Sequence, residues 1–262
     1  MSEPDSDPIL TRDCRHGRFS FPARDQYVGR ALDLYGEWSE REVALVCSLT
    51  APGSWVVEVG SNIGSHTVPI ARHVGPSGRV VAFEPQRVIF QLLCANLVAN
   101  RLFNVQALQA AGGRMPGSTL VPEIPIGTDY NFGAVRIGSA EGDEVPVVTI
   151  DSLALKRVDF IKIDAEDHEA AVLLGALDTL DRFSPPVLLE YNNHMRPIVN
   201  RVLRLLGWRC WYFDEPLFNP DNFRGRSDNL LGPYASLNLL LAKEPIPGIT
   251  DDMAELPREE LV

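Results

Sequence analysis

The sequence predicts an α/β fold in which a parallel sheet is covered by helices on both faces. Short apolar runs at 54–60, 79–85 and 104–111 alternate with segments 65–74 and 86–102, where apolar residues recur at helical spacing. The runs are apolar almost throughout, whereas a strand with one face in water would alternate apolar and polar residues. Strands of this kind lie between two layers of helices, so the β-α-β-α-β order favours a parallel sheet.

The same alternation continues in the second half of the chain. The predicted strands there are 158–164, 185–192, 208–214 and 237–243, and the predicted helices lie near 167–182 and 197–206. Before the first strand, Ser39 followed by Glu42 has the spacing of a capping box, which predicts a helix over 40–49.

Two long segments interrupt this pattern. Residues 112–145 are rich in glycine and proline and are too long for an ordinary connection, so they predict an insertion with a hairpin or two. Residues 215–236 predict a long loop between the last two strands. The interpretation is a single domain over 26–243, with a lead-in (1–25) and an acidic tail (244–262) as loosely attached ends.

The composition limits the expected partners and location. The net charge is −11 and the basic residues are scattered, so we expect repulsion of phosphate backbones and no nucleic-acid partner. No apolar run reaches the length of a membrane span, and the first residues lack the features of a signal peptide. The four cysteines include no C-x-x-C pair, which argues against a disulfide framework and favours a cytoplasmic protein.

A glycine-containing turn joins the first predicted strand to the next helix. Its pattern is E-x-G-x-N-x-G, from Glu58 through Gly60 and Asn62 to Gly64. A dinucleotide fold needs G-x-G-x-x-G, and counting from Gly60 the second and third glycine positions hold Asn62 and Ser65. The pattern therefore argues against NAD or FAD as the ligand.

Glu84 closes the second predicted strand. A carboxylate at this place can accept hydrogen bonds from two ribose hydroxyls. With no pyrophosphate to bind, the glycine turn can face something smaller, such as an amino acid attached to a nucleoside, and S-adenosylmethionine has that shape. The plain alternative is a tight strand–helix turn that binds nothing.

Several blocks of the chain, in this order, resemble those of the FkbM-type methyltransferases. The blocks are VVEVGSNIGSHT, VVAFEP, VVTIDSL, VDFIKIDAEDHE and VLLEYN, and NFG at 131–133 resembles a further family feature. The resemblance covers roughly 26–243 and implies the Rossmann-like class I methyltransferase fold. That fold has a seven-stranded, mostly parallel sheet with helices on both faces and an antiparallel last strand.

The resemblance also implies an activity and a cofactor site. The activity is transfer of a methyl group from S-adenosylmethionine to a hydroxyl of a small molecule, such as a natural product, sugar or glycolipid. The implied cofactor residues are Glu58, Gly60, Ser61, Asn62, Gly64, Glu84, Pro85 and Asp164, with Gln86 and Ala110 or Ala111 beside the adenine. The chain departs from the family at Asp167, where glycine is usual, and this puts in doubt the transfer of substrate geometry around that turn.

Four carboxylates crowd the turn after the fourth strand of the predicted sheet. Asp164 ends the strand, whereas Asp167 and Glu169 fall in the first turn of the next helix, where the helix dipole favours negative charge. Glu166 could be a helix cap or an active-site acid. Lys162, inside the strand, is expected to reach its edge or to pair with an acid.

The candidates for acid–base chemistry follow the fourth and fifth strands, because ligands bind beyond the carboxyl ends of an open parallel sheet. They are Asp164, Glu166, Glu190 and His194. His194 is the best single base by its ordinary pKa, which lies near neutrality. The plain alternative for His194 is an exposed loop histidine, and Tyr191 is expected to face the core.

A metal site is the alternative interpretation of the same strand ends. Asp164, Glu190 and Asn192 would supply oxygen ligands of the kind that Mg²⁺ prefers. This arrangement resembles that of metal-dependent catechol-type methyltransferases, although the FkbM resemblance itself implies no metal. Asp164 could thus hold a metal, the methionine end of S-adenosylmethionine or the acceptor hydroxyl.

Other functions stay open as hypotheses. A nucleic-acid methyltransferase would carry an Asn/Asp-Pro-Pro-aromatic signature where this chain has DAED at 164–167, and the acidic charge opposes it. A non-catalytic module that binds S-adenosylmethionine and an oxidoreductase are the remaining alternatives. The segments 15–40, 112–145 and 215–236 are expected to form the acceptor pocket, and the long insertions could serve a homodimer interface.

Overall fold

The computed structural model describes residues 7–192 and 196–256 of the chain. The strands of this part are β1 (Ile9–Cys14), β2 (Gly17–Pro22), β3 (Trp55–Val59), β4 (Arg79–Phe83), β5 (Val105–Leu108), β6 (Ala111–Gly112), β7 (Gly117–Val121), β8 (Asp143–Val148), β9 (Phe160–Ile163), β10 (Val187–Glu190), β11 (Arg209–Pro216) and β12 (Ala235–Ala242). The helices are α1 (Val28–Leu34), α2 (Glu40–Leu49), α3 (Thr67–Val74), α4 (Arg87–Ala99), α5 (Glu169–Leu174), α6 (Leu177–Phe183) and α7 (Arg196–Leu206).

A seven-stranded sheet in the order β11-β12-β10-β9-β3-β4-β5 forms the centre of the fold. Strands β10, β9, β3, β4 and β5 run parallel to one another, and β12 runs antiparallel to both of its neighbours. The predicted α/β class and the antiparallel last strand are therefore confirmed.

Both faces of this sheet are buried, as the apolar runs predicted. Successive residues of a strand point to opposite faces. Val56 packs with side chains of α2, α3 and α4, whereas Val57 packs with those of α5, α6 and α7. Each strand therefore needs apolar residues at successive positions, which explains the absence of alternation in the sequence.

The N-terminal lead-in is more firmly packed than its sequence predicted. From Ile9 to Pro22 it forms the antiparallel hairpin β1–β2, which buries Phe19 and Phe21 against the α4 side of the sheet. The expectation of a loosely attached end is wrong for residues 7–25. In the sequence, the apolar residues of this hairpin form no alternating pattern long enough to predict a pair of strands.

The first interruption also takes definite form. Residues 111–148 contribute a small three-stranded sheet in the order β6-β8-β7, which fits the predicted insertion with a hairpin. The loop between β7 and β8 pairs with the N-terminal segment through Tyr130 and Asp25. The predicted third strand, 104–111, is shorter than expected because the chain leaves the main sheet after Leu108 and pairs Ala111 with β8 instead.

Two helix predictions need correction. Helix α2 spans the predicted residues, but Ser39 has a left-handed φ of 44°, its side chain makes no capping hydrogen bond and the side chain of Glu42 binds Asn238 instead, so the capping box is wrong. The single helix predicted near 167–182 is two helices, broken at Gly175 and Ala176. Asp151, far away in sequence, accepts hydrogen bonds from the backbone N–H groups of Asp178 and Thr179 and so starts α6.

The acidic tail is attached as far as residue 256. The backbone N–H of Tyr212 donates to the carbonyl of Ala254, and that of Leu256 donates to the carbonyl of Cys210. Leu256 is buried in the core. The expectation of a loose tail is therefore wrong for residues 254–256. None of the helices in the described ranges is long and apolar enough to cross a membrane.

Asn96 on α4 joins the N-terminal hairpin to the glycine turn. Its Oδ1 accepts a hydrogen bond from the N–H of Ser20 at 2.7 Å, and its Nδ2 donates to the carbonyls of Ser20 at 3.0 Å and Ile63 at 2.8 Å. Since Asn96 is buried, no water can replace these bonds without local opening.

We expect Asn96→Ala to lower the free energy of unfolding by roughly 2–4 kcal/mol, because it leaves backbone groups of Ser20 and Ile63 without partners. Chemical denaturation monitored by circular dichroism measures this loss. Gln91→Ala, an exposed change on the same helix, should stay within about 0.5 kcal/mol of the parent chain. Equal stability of the two variants would contradict this role of Asn96 in joining the hairpin to the glycine turn.

Candidate active site

Two adjoining cavities lie at the carboxyl ends of β3, β4, β9 and β10. The larger has a volume of about 290 Å³ and reaches from the glycine turn to Tyr27, Trp38 and Tyr234. The smaller has a volume of about 40 Å³, and the apolar part of its lining includes Pro85 and Val135. The residues common to both linings are Gly60, Glu84, Gln86, Gly133, Asp164 and Glu166.

The glycine turn is pressed against the end of β9. Gly60 has a φ of 87°, and a β-carbon there would collide with the carbonyl oxygen of Asp164. The backbone N–H groups of Gly60 and Ser61 both donate to the carbonyl of Phe83 at the end of β4. Glycine is therefore required at position 60 by the packing of three strand ends, whether or not a ligand is bound.

Glu58 holds this turn from behind. Its side chain is 0% exposed, and its Oε2 accepts hydrogen bonds from Thr67 at 2.5 Å and Ser61 at 3.3 Å. Burial raises the pKa of Glu58 to about 7, against the opposing effect of the Lys162 charge. Glu58, Ser61 and Gly64 line neither cavity, so the structure gives them a supporting place behind the turn.

Glu84 is placed where the two cavities meet. Its Oε2 accepts a hydrogen bond from the N–H of Asn62 at 2.9 Å, and its Oε1 accepts one from the N–H of Gln86 at 2.8 Å. Burial raises the pKa of Glu84 to about 7 in spite of these bonds. Each carboxylate oxygen has two acceptor sites, so both can still accept a hydrogen bond from a ligand.

Asp164, Glu166 and Glu190 form a compact group of carboxylates, with one oxygen of each within 4.8 Å of the others. The negative charge of Asp164, together with burial, raises the pKa of Glu190 to about 10. Burial and then the charge of Asp164 raise the pKa of Glu166 to about 7. The group would be stabilised by a cation, since a positive charge relieves the repulsion that these pKa values reflect.

A buried lysine lies behind this group. Lys162 is 1% exposed, and its Nζ donates to Oδ2 of Asp164 at 3.0 Å and lies 3.7 Å from Oε2 of Glu42. Burial alone would lower the pKa of Lys162, but the charges of Asp164, Glu42 and Glu58 outweigh it and the net shift is upward. Lys162 therefore stays charged, and its predicted pairing with an acid is confirmed.

Two titratable residues of the larger cavity were not predicted as site residues from the sequence. Glu42 comes from α2, where its Oε1 accepts a hydrogen bond from Asn238, and His66 comes from the start of α3. The spacing from Ser39 had suggested only a helix cap for Glu42. His66 directly follows the glycine turn, at the start of α3. A polar residue at this position, next to the predicted ligand edge of the sheet, could have been recognised as a site candidate from the sequence.

Several predicted residues lie elsewhere. His194 lies outside the described residues. Asn192 lines neither cavity, and its amide donates to Oδ1 of Asp167 at 2.7 Å. Asp167 has a φ of 73° and pairs with Arg136 at 2.8 Å. The left-handed backbone at Asp167 is the kind that favours glycine, which agrees with the glycine implied there by the resemblance.

The other predicted cofactor residues are brought together. Asn62 and Asp164 line the larger cavity, and Pro85, Ala110 and Ala111 line the smaller. Their roles stay predictions, since a lining residue is placed to touch a ligand without being shown to do so. Tyr191 is buried in the core, as expected.

Comparison with known proteins connects this arrangement to one family. Residues 58–213, more than half of the chain, match the family model described as the methyltransferase FkbM domain. Methyltransferase 1 of Beauveria bassiana is 29% identical over 180 residues, which cover 58% of this chain and 72% of that protein. Methyltransferase sdnD of Sordaria araneosa is 29% identical over 206 residues, which cover 64% and 78% of the two chains.

Solved structures resemble the chain in fold. The FkbM methyltransferase from Methylobacillus flagellatus KT superposes with a TM-score of 0.48 and 18% identity over 73% of this chain. This chain spans 44% of the length of that protein. Trm5b from Pyrococcus abyssi superposes with a TM-score of 0.50 and 9% identity, covering 91% of this chain and 56% of its own. At that identity the likeness shows the fold alone.

The cluster of Asp164, Glu166 and Glu190 should make the stability of the fold depend on pH. The pKa of Glu190 is raised from an ordinary 4.5 to about 10, so the folded chain binds this proton more tightly than the unfolded chain. Stability therefore falls as pH rises between these values. Replacing Glu190 by glutamine removes the charge and the cost of its burial.

We expect Glu190→Gln to raise the free energy of unfolding by about 1 kcal/mol or more near pH 8, with the gain vanishing near pH 4. Thermal melts across this pH range measure it, since 1 kcal/mol corresponds to roughly 2–4 °C in a chain of this size. Asp181→Asn, an exposed acid on α6, is the control. An equal gain in the free energy of unfolding at pH 4 and pH 8 would contradict the raised pKa of Glu190.

Proposed function

The chain belongs to the FkbM methyltransferase family, and on that premise we propose that it transfers a methyl group from S-adenosylmethionine to a hydroxyl of a small molecule. The observation that carries the proposal is the pair of adjoining cavities that meet at Glu84. A narrow apolar slot joined to a larger polar space matches a nucleoside joined to a charged amino acid.

The residues present fit this cofactor. The slot beside Pro85, Ala110 and Val135 would take the flat adenine, and Glu84 would accept hydrogen bonds from the ribose hydroxyls. The clustered acids Asp164, Glu166 and Glu190, whose mutual repulsion raises the pKa of Glu190, suit a ligand end that carries positive charge, as the sulfonium and the ammonium do. Glu58 would act by holding the glycine turn, since its carboxylate lies behind it.

When bound, S-adenosylmethionine would supply an already activated methyl group, so the protein's task is mainly to align the acceptor. The chain's own part is to bind both molecules and to receive the proton that a hydroxyl oxygen loses. Asp164 and Glu166, at the ligand edge of the sheet, would serve as such a base. Glu190, whose pKa is raised to about 10, would already hold a proton near neutral pH. His194, the base that the sequence favoured, lies outside the described residues.

The acceptor is proposed to be a small hydroxylated molecule, such as a natural product, sugar or glycolipid. The larger cavity supports this proposal because it extends beyond the predicted cofactor residues to the side chains of Tyr27, Trp38 and Tyr234. These come from the N-terminal segment and the long loop before β12, two of the segments expected to shape the acceptor pocket. A homodimer through the insertions stays a prediction.

Metal-dependent transfer is the second candidate, and the three clustered carboxylates favour it. Asp164, Glu166 and Glu190 would hold a divalent cation, which would lower the pKa of an acceptor hydroxyl. Glu166 replaces Asn192 in this set, since Asn192 lines neither cavity. A non-catalytic module that binds S-adenosylmethionine is distinguished from both by the absence of any methyl transfer.

We expect S-adenosylmethionine and S-adenosylhomocysteine to bind in calorimetry and NAD not to bind. Glu84→Ala should weaken S-adenosylhomocysteine roughly 10- to 100-fold, because hydrogen bonds to a buried carboxylate are lost. Glu141→Ala, an exposed acid of the insertion, is the matched control and should bind as the parent chain does. Absence of binding by either adenosyl compound at millimolar concentration would refute the proposal.

Titration of Mg²⁺ into protein freed of metal by EDTA separates the two candidates. The metal-independent proposal expects no saturable heat and no rise in Tm. The metal-dependent candidate expects both, with loss of both in Glu190→Gln and retention in the exposed control Asp181→Asn, because ligand binding raises Tm by mass action. Full methyl transfer in chelator would eliminate the metal.

A further inference from the structure

Two buried acceptor atoms of the larger cavity have no hydrogen-bond partner among the described residues: Nε2 of His66 and Oε2 of Glu42. Both side chains line the larger cavity and neither lines the smaller one. We propose that these two atoms bind the hydroxyl of the methyl acceptor, and that the acceptor is a flat ring compound that is neutral or cationic. The proposal rests on the methyl transfer proposed above.

The burial of the pair argues for a ligand. His66 is 6% exposed and Glu42 is 3% exposed. A buried polar atom without a partner costs about 1–3 kcal/mol, and here two such atoms face one cavity. The ammonium of Lys162, 3.7 Å from Oε2 of Glu42, offsets part of this cost for the carboxylate. A ligand that bonds to both atoms would recover the rest.

The spacing of the two atoms suits a single hydroxyl group. Nε2 of His66 lies 3.7 Å from Oε2 of Glu42, too far for a hydrogen bond between them. A hydroxyl has a single proton to donate, so an oxygen roughly 2.8 Å from each atom would share that proton between them in a three-centre hydrogen bond. Glu42 is itself fixed by Asn238, whose Nδ2 donates to its other oxygen at 3.2 Å, so the pair is already in position.

His66 is in the state that can accept the proton. Burial, the charge of Lys162 on β9 and that of His16 in the hairpin lower the pKa of His66 well below its ordinary value, so the ring is neutral near pH 7. In the transfer, the hydroxyl oxygen forms a bond to the methyl carbon. The carbon–sulfur bond breaks with its electron pair staying on sulfur, and the hydroxyl proton moves to Nε2 of His66.

The charge of the lining defines the acceptor further. Five of the lining residues are acidic, and among the described residues that line the cavity none is lysine or arginine; the acids are Glu42, Glu84, Asp164, Glu166 and Glu190. Lys162 pairs with Asp164 and Glu42 from behind the lining, but one cation against five acids leaves an excess of negative charge, so an acceptor with a carboxylate or phosphate would meet repulsion. The rings of Tyr27, Trp38 and Tyr234 offer flat apolar surface, which suits a ring-bearing acceptor.

Three phenols that share a ring and differ in charge test the proposal on the unaltered protein. Tyrosol is neutral, tyramine is cationic and 4-hydroxyphenylacetate is anionic. Each is titrated by ligand-observed NMR into the protein saturated with S-adenosylhomocysteine, with EDTA present so that no metal contributes. We expect the first two to bind at millimolar concentration and the anion to bind at least about tenfold more weakly.

His66→Asn and Glu42→Gln then test the two atoms. Each should weaken tyrosol about tenfold or more, since a hydrogen bond to a buried group is lost, while the affinity for S-adenosylhomocysteine stays unchanged. His73→Asn on the same helix and Glu40→Gln on α2 lie outside the cavity lining and serve as matched controls. Thermal melts show which variants fold. If a variant does not fold, the binding of the three phenols to the parent chain tests the proposal instead.

Three results would overturn the proposal: no phenol binds, the anion binds as well as tyrosol, or tyrosol binds both variants as it binds the parent. Loss of S-adenosylhomocysteine binding in His66→Asn would also overturn it, because His66 would then belong to the cofactor site. Failure of the parent chain to bind S-adenosylhomocysteine is a different outcome. It would refute the methyl transfer itself.

Discussion

The ammonium group of Lys162, buried in the middle of the sheet, is the interaction on which the site depends. It lies among the carboxylates of Asp164, which directly follows β9, of Glu42 on α2 and of Glu58 on β3. A buried charge without partners would cost several kcal/mol, so these elements must keep their relative positions for the chain to fold. The same requirement fixes the end of β9, and with it the carbonyl of Asp164 against which Gly60 packs.

Around this lysine the site carries an excess of negative charge. One positive group is set against several buried acids. Burial raises the pKa values of Glu58, Glu84 and Glu166, and the charge of Asp164 together with burial raises that of Glu190. Such a site gains stability when a cation enters and loses it when the cation leaves. A cofactor with a sulfonium would satisfy this need before transfer and would meet it less well afterwards, since its thioether product has one positive charge fewer. Product release would then be favoured by the same acids that attract the cofactor.

The parts of the fold that follow from local sequence were predictable, and those that depend on distant partners were not. The apolar runs at 54–60 and 79–85 predicted β3 and β4 because a strand buried on both faces must be apolar throughout. The glycine turn and Glu84 were found because their spacing is local. Glu42 was assigned to a helix cap, since its actual partners, Lys162 and Asn238, are more than a hundred residues away in sequence. Likewise, the break before α6 depends on Asp151, which no helical pattern could indicate.

The hydrogen bonds of Asn96 give the hairpin of residues 9–22 a part in shaping the ligand edge. Through this side chain, Ser20 in the hairpin and Ile63 in the glycine turn are held by one amide. The stretch that identifies the family, 58–213, leaves the hairpin out. A chain shortened to that stretch would therefore keep every residue of the glycine turn and still lose part of what holds it. The family's shared sequence therefore ends short of some of the contacts that hold the glycine turn in place.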